Sequence, residues 1–513
     1  MELTEDQSLV FEQIFEWARS TDTSIAILTG SAGTGKTTLL KAIVDKLDSM
    51  KKSATLLAPT GRAARILEKR TLRPATTIHS AIYELGDLEV ESETNTSQLE
   101  IDTAGFSMPF KLKNGDAKAN FFIIDESSMV SDKATDNDFL SFGSGRLLHD
   151  LLHYTNLLNK PKSQRTKILF VGDNAQLPPV KSSDSPALSR AYFLKEFKLN
   201  AKEFRLTKVI RQAAGSLILR NAEDVRKSID NEHFENFQIK ADEKTIYKIN
   251  PTKAVNVILD NADNENNILI TTMNSVALSY NSAIRNKKYG SKSMPVQKGD
   301  VLLVTKNTSK YSNGDILNVI DVGVNPEIRK VKIRDAKEPI ELIFRDVVVR
   351  LIEEHDEKKN QQCKILENLL YKTDPMLSHK ENQALLVDFR NRNKKLLIKS
   401  EEFKSTLVKD EYLNAVVVKF GYSITCHKAQ GGEWDNVIVS FDRPRRDSDF
   451  FRWAYTAITR AKKNLYLISD PLFGVLESEM DAEVPLMEQI ESKLDDKVFM
   501  EKLENLLKDT FKK

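Results

Sequence analysis

The sequence GSAGTGKTT at residues 30–38 follows the apolar run IAIL and precedes the helix-spaced LLKAIV, which leaves the chain little choice of what to fold around. Strand, glycine-rich loop and helix in that order make a phosphate cradle. Glycines let backbone N–H groups approach the phosphates with no side chain in the way, and the following helix aims its positive end at the same anion. Gly30, Ser31, Ala32, Gly33, Thr34, Gly35, Lys36, Thr37 and Thr38 are therefore expected to cradle a nucleoside triphosphate. Lys36 is expected between the β- and γ-phosphates, with the Thr37 hydroxyl on Mg²⁺.

A chain of 513 residues holds several domains and buries a real core. Its net charge of +2 hides 29% charged residues, so local patches rather than the total decide nucleic-acid binding. Cys363 and Cys426 supply neither a disulfide framework nor zinc-site spacing. The acidic start MELTEDQ lacks a signal core, and no apolar run approaches a membrane span. The expectation is a soluble, cytoplasmic protein with no membrane contact.

Residues 3–19 read as an amphipathic helix capped by Thr4, with Leu9, Val10, Ile14, Phe15 and Trp17 on its apolar face. Gln7 can donate to and accept from a base edge, although any single glutamine is ordinarily a surface residue. After the strand-like SATLLA come Pro59 and Thr60, and Thr77 and His79 follow. Loops after strands carry ligand contacts in α/β sheets, so these four are candidates. His79 alone would read as packing. Residues 84–120 change character: 84–100 is acidic and polar with 87–93 alternating at strand period, and Phe106 and Phe110 lie in a second strand, which reads as a small β insertion or else a surface loop.

The buried-type strand FFII ends in Asp125 and Glu126, suited to hold Mg²⁺ and to orient or deprotonate a water, respectively. A third strand ends at Gly172-Asp173, and the amide of Gln176 beyond it can sense a γ-phosphate. Arg211 follows a short apolar run and, taken singly, is a surface arginine. Beyond residue 215 a second α/β run includes a strand from Asn267, then short strands with Asn-Gly and Lys-Gly-Asp turns suggest a small SH3-like barrel. The charged stretch 353–410 has helical spacing at Ile365, Leu366, Leu369 and Leu370 and reads as a helical insertion. The α/β pattern returns at Ala415-Val-Val-Val418, and residues 464–468 form a last strand. An amphipathic tail closes the chain and docks on the body or on a partner.

With these stretches in order, the chain resembles a superfamily 1 helicase of the RecD-like, Dda-like branch. The resemblance rests on residues 30–37, 58–64, 123–126, 172–179, 210–212, 421–434 and 455–461, and spans residues 7 to about 470. It implies two RecA-like P-loop domains with ATP and Mg²⁺ in the cleft between them. Domain 1A would take residues 1–83 and 121–205, and domain 2A residues 206–290 and 415–475. A β-hairpin pin (1B) would occupy 84–120, an SH3-like domain with a charged helical insertion (2B) 291–414, and a helical tail 476–513.

The resemblance also assigns roles. Gln7 would read adenine, Lys36, Thr37, Asp125, Glu126 and Gln176 would serve phosphate, metal and water, and Arg211 and Arg460 would reach the γ-phosphate from domain 2A. Gly432 and Glu433 would contact the nucleotide, Glu433 through the ribose. Pro59, Thr60, Thr77, His79, Ser423, Thr425, His427 and Lys428 would line the path of a single strand. The implied activity is ATP-dependent 5′-to-3′ DNA unwinding by a chain working as a monomer on single-stranded and partial duplex DNA, with protein partners through the tail or domain 2B. Rival readings are a translocase that displaces bound protein, an RNA or RNA–DNA hybrid unwinder, and a nucleotide-switched scaffold.

Overall fold

The computed structural model describes residues 3–86, 89–90, 106–113, 121–134, 140–158, 166–208, 216–260, 266–290, 295–308, 310–334, 336–354, 356–397, 400–442 and 447–468. Two parallel sheets organise them. The first runs in the order Ala201–Leu206, Ile25–Gly30, Lys167–Gly172, Phe121–Ile124, Ala54–Ala58, Ala75–Thr77, every pair parallel. Its four inner strands are short, mostly apolar runs because both faces are covered, whereas the edge strand Ala201–Leu206 exposes Lys202, Glu203 and Arg205. One face packs on the helices Glu5–Arg19 and Lys36–Ser49, the other on Leu148, Leu151, Ala187 and Phe193. Leu9 departs from the expected helix face and is exposed, while Val10, Ile14, Phe15 and Trp17 are buried.

In the second sheet the order is Ile246–Ile249, Ala461–Ile468, Trp434–Ser440, Asn267–Thr271, Ser423–Thr425, again parallel throughout. Parallel order places the carboxyl ends of all strands on one edge of each sheet, where Gly30, Ala58, Ile124 and Gly172 hand the chain to the candidate loops.

A third sheet closes on itself. Ile316–Val322 pairs with Val301–Val304, which pairs with Val416–Phe420, then Gln361–Leu366, then Ile340–Leu351, which returns to Ile316–Val322. Two expectations are corrected here. Val416–Phe420 belongs to this barrel rather than to the second parallel sheet, and the chain re-enters that sheet only at Ser423–Thr425. A continuous apolar run suits either setting, so its partners decide. Likewise Gln361–Leu366, inside the stretch read as helical, is a barrel strand; Ile365 and Leu366 fit helical spacing but fill the gap between two strands. The helices His379–Arg392 and Glu401–Lys409 do follow, and bury Leu386, Phe389 and Phe403 against the barrel.

Tyr83–Leu85, Glu89–Val90 and Phe106–Leu112 form a small antiparallel sheet, joined by Leu140–Phe142 running parallel to Phe106–Leu112. Arg285 and Asp300 tie the second α/β half to the barrel. Both are buried and meet at 2.8 and 2.9 Å, and Tyr422 donates to the same carboxylate at 3.0 Å. Asp300→Ala leaves that guanidinium buried without its counter-charge, a loss of about 3–5 kcal/mol. The expected result is a large drop in the urea midpoint with an unchanged slope.

Candidate active site

Gly33 and Gly35 adopt φ of 84° and 77°, the left-handed region that lets the loop wrap inward. Lys36 Nζ donates to the carbonyls of Gly30 (2.7 Å) and Ser31 (3.1 Å), inside its own loop. Thr34 Oγ1 donates to the Ser31 carbonyl at 2.9 Å. Buried Gln7 supports the cradle from below: its Nε2 donates to the carbonyls of Thr34 and Gly35, while its Oε1 caps the helix through the Thr4 N–H. The amide expected to face a base is thus engaged with the loop in this structure.

Asp125 and Glu126 leave the strand Phe121–Ile124 toward the same loop. The Asp125 N–H donates to the Leu57 carbonyl, which fixes the turn, and Glu126 takes a left-handed φ of 50°. A non-glycine residue held there carries strain of the kind found at working sites. Burial, and then the neighbouring Glu126, push the Asp125 carboxyl up. A divalent cation at that point would relieve both effects. Gln176 is buried, and its Oε1 has no hydrogen-bond partner among the described residues. An unpaired buried acceptor beside a phosphate cradle fits a ligand-borne donor or an ordered water.

These residues line a cleft of about 490 Å³ whose opposite wall comes from the second half: Gly431, Glu433, Thr459 and Arg460. The buried Arg460 donates from Nε to the Thr456 carbonyl, from Nη1 to the Gly432 carbonyl and from Nη2 to Thr459 Oγ1. Gly432 therefore acts here by holding Arg460. Cradle, hydroxyl, carboxylate pair and facing cations fit a nucleoside triphosphate with Mg²⁺: the loop N–H groups and Lys36 suit phosphates, and Thr37 and Asp125 suit the metal. Arg211 and the residues of the tail lie outside the described residues.

Four participants carried no role in the sequence reading. Tyr455 accepts from the Ala32 N–H at 3.1 Å and donates to Asp173 at 2.6 Å, and Arg226 pairs with that same aspartate, so the halves meet through a buried network. Arg62 stacks on Trp434 at 4.3 Å. Arg70 reaches into the cleft to Thr37 and Glu433. All four act across the halves; Arg62 and Tyr455 lie in the stretches 58–64 and 455–461, but no local pattern gives any of the four its role.

On the expected strand path, Ser423, Thr425 and Lys428 share one groove with Lys419. Burial holds the Lys419 and Lys428 ammonium groups down at about 8, with Lys419 also disfavouring the charge on Lys428. Lys428 donates to Asn313 at 2.6 Å. The next-door Ser312 presses on Gly61, where an added Cβ would lie 1.8 Å from its Oγ. One barrel loop thus links Lys428 to the helix Gly61–Thr71, which Thr60 caps and Pro59 precedes. Thr77 caps the short helix Ile78–Ile82. His79 packs beside Tyr83 and Phe142, and burial lowers its pKa; Phe110, considered for the pin, stacks on Phe142 at 4.8 Å. His427 is partly buried next to Lys428, and its pKa is likewise lowered.

Fold and cleft together define a P-loop nucleotide-binding protein with two parallel, RecA-like α/β sheets in one chain. A family model described as an AAA domain matches residues 16–140, and one described as the UvrD-like helicase C-terminal domain matches residues 420–468. The chain is 25% identical over 490 residues to RecBCD enzyme subunit RecD of Buchnera aphidicola, covering 87% of this chain and 70% of that one. It is 30% identical over 227 residues to the ATP-dependent DNA helicase dda of Enterobacteria phage T4, covering 44% and 43%. Uncharacterized protein MJ1519 of Methanocaldococcus jannaschii is 26% identical over 494 residues, 89% of this chain but 37% of its own length. The chain thus spans little more than a third of that archaeal relative. Both halves of the chain are thus similar to superfamily 1 helicases of the RecD-like and Dda-like kind. Among the described residues, no helix is long and apolar enough to cross a membrane.

Proposed function

We propose that this chain is an ATP-dependent motor that moves 5′ to 3′ along single-stranded DNA and opens duplex ahead of it, working as a monomer. The observation that carries the proposal is the cleft in which Lys36, Thr37, Asp125, Glu126 and Gln176 of one half face Glu433 and Arg460 of the other. In this reading Lys36 and the loop amides bind phosphates, Thr37 and Asp125 hold Mg²⁺, and Gln7 contacts the base. Glu126 receives the proton of the attacking water. Arg460, with Arg211, stabilises charge on the transferring phosphoryl group. Mg²⁺ supplies charge neutralisation when bound.

Because catalytic groups come from both sheets, hydrolysis depends on how the halves sit, and closure and opening become a step along the strand. Ser423, Thr425 and Lys428 on one half, and Pro59 and Thr60 on the other, are proposed to grip phosphates without reading sequence. The small sheet around Phe106–Leu112 takes the part of the strand-separating domain 1B, and the closed barrel that of the SH3-like domain 2B; beyond the limits expected above, the small sheet also takes Tyr83 and Leu140–Phe142, and the barrel Val416–Phe420.

Polarity tests the whole reading. On two partial duplexes differing only in their single-stranded tail, ATP-dependent unwinding is expected from the 5′ tail alone. Unwinding from the 3′ tail would reverse the assignment, and hydrolysis without unwinding on either would favour a translocase.

A further inference from the structure

The helix Gly61–Thr71 begins at a proposed strand contact and ends in the nucleotide cleft. It engages the segment Gly432-Glu433-Trp434 of the other half with two arginines. Near its start, buried Arg62 lies flat on Trp434 and packs against Gly432. Eight residues on, roughly 12 Å along the axis, Arg70 sends its guanidinium to the cleft floor. There Nη2 donates to Glu433 Oε2 at 3.0 Å and Nη1 donates to Thr37 Oγ1 at 3.3 Å.

The second of these bonds cannot persist in a loaded site. Thr37 Oγ1 is the hydroxyl proposed to ligate Mg²⁺, and a dication on that oxygen repels a guanidinium whose Nη1 lies 3.3 Å from it. Metal entry therefore frees Nη1 at a point where the only new acceptors are the phosphate oxygens entering with it. Glu433 does not lose all cationic support when Arg70 turns away, because Lys462 Nζ stands 3.9 Å from the same carboxylate oxygen. The Arg62–Trp434 stack fixes the helix against the segment, so the exchange is a swing of the Arg70 side chain, which is 44% exposed and free to move. A planar fork suits phosphate better than a single carboxylate oxygen.

We infer that Arg70 is a further phosphate-binding residue of this cleft, supplied by the P-loop half: it exchanges Glu433 for the polyphosphate as Mg²⁺–nucleotide enters, leaving Glu433 for the sugar. The inference rests on the reading of the cleft as a nucleotide site. Arg70 then links sugar recognition to phosphate recognition through one side chain.

Competition against fluorescent N-methylanthraniloyl-ADP on the full chain tests it, with Mg²⁺–ATP and sugar-free Mg²⁺–tripolyphosphate as competitors. Arg70→Ala is expected to weaken both competitors by about tenfold or more, with partial recovery in Arg70→Lys. Glu433→Ala is expected to weaken ATP while leaving tripolyphosphate no weaker. Unchanged tripolyphosphate affinity in Arg70→Ala would reduce the contact to a surface ion pair, and tighter binding would make it a latch that resists loading; either overturns the inference. Lys36→Ala separates the two levels. If it binds ATP like the wild type, the cleft reading itself fails; if it weakens ATP while Arg70→Ala does not, only the role of Arg70 falls.

Discussion

Glu126→Gln is expected to lower ATP turnover on single-stranded DNA by about 10²- to 10⁴-fold, the usual worth of a positioned general base, while nucleotide still binds. The substitution keeps the shape of the side chain and its left-handed backbone, and removes only basicity and charge. It also takes away the like charge that helps push Asp125 up, so Asp125 ionises more readily and the metal position is not weakened. Loss of turnover with intact binding is thus specific to proton transfer. The measurement is steady-state phosphate release beside a nucleotide titration. Appreciable turnover in Glu126→Gln would remove Glu126 as the base and leave water orientation to Gln176.

The second large effect concerns Arg460. Its guanidinium spends Nε and one N–H of each terminal nitrogen on Thr456, Gly432 and Thr459. An arginine has five N–H groups, so two remain for the cleft that it lines. Those internal bonds pre-orient the fork, and a lysine at this position has neither the plane nor the reach to keep both sets. Arg460→Lys is accordingly expected to cut single-turnover hydrolysis by about 10³-fold or more, the scale of an arginine acting on a transferring phosphoryl group, with ATP affinity far less affected. Near-wild-type hydrolysis in this variant would confine Arg460 to packing of the Gly432 turn. A thermal melt alongside guards against misfolding, since the residue is buried.

The barrel shows why part of the fold escaped a reading by periodicity. Val416–Phe420 opens on three valines, Gln361–Leu366 begins polar and ends in Ile365 and Leu366, and each is compatible with more than one partner. Only strand pairing assigned them, because the free energy of a strand lies in its neighbours more than in its own residues. Phe110 and His79 make the same point on a smaller scale. Both looked available for function, and both pack in an aromatic group with Phe142 that forms only when Leu140–Phe142 joins the small sheet.

What the sequence determined by itself is the local machinery: a strand, a glycine-rich turn and a helix at residues 25–49, and strands ending in Asp125–Glu126 and at Gly172. Backbone sterics and side-chain spacing act over a few residues, so these features are complete within their own segments. The tertiary structure alone decided which distant residues complete them. Tyr455 reaches Ala32 across 423 residues and Arg70 reaches Glu433 across 363. Such pairs exist only because the two sheets face one another across the cleft, an arrangement set by packing between distant segments, which no run of neighbouring residues encodes.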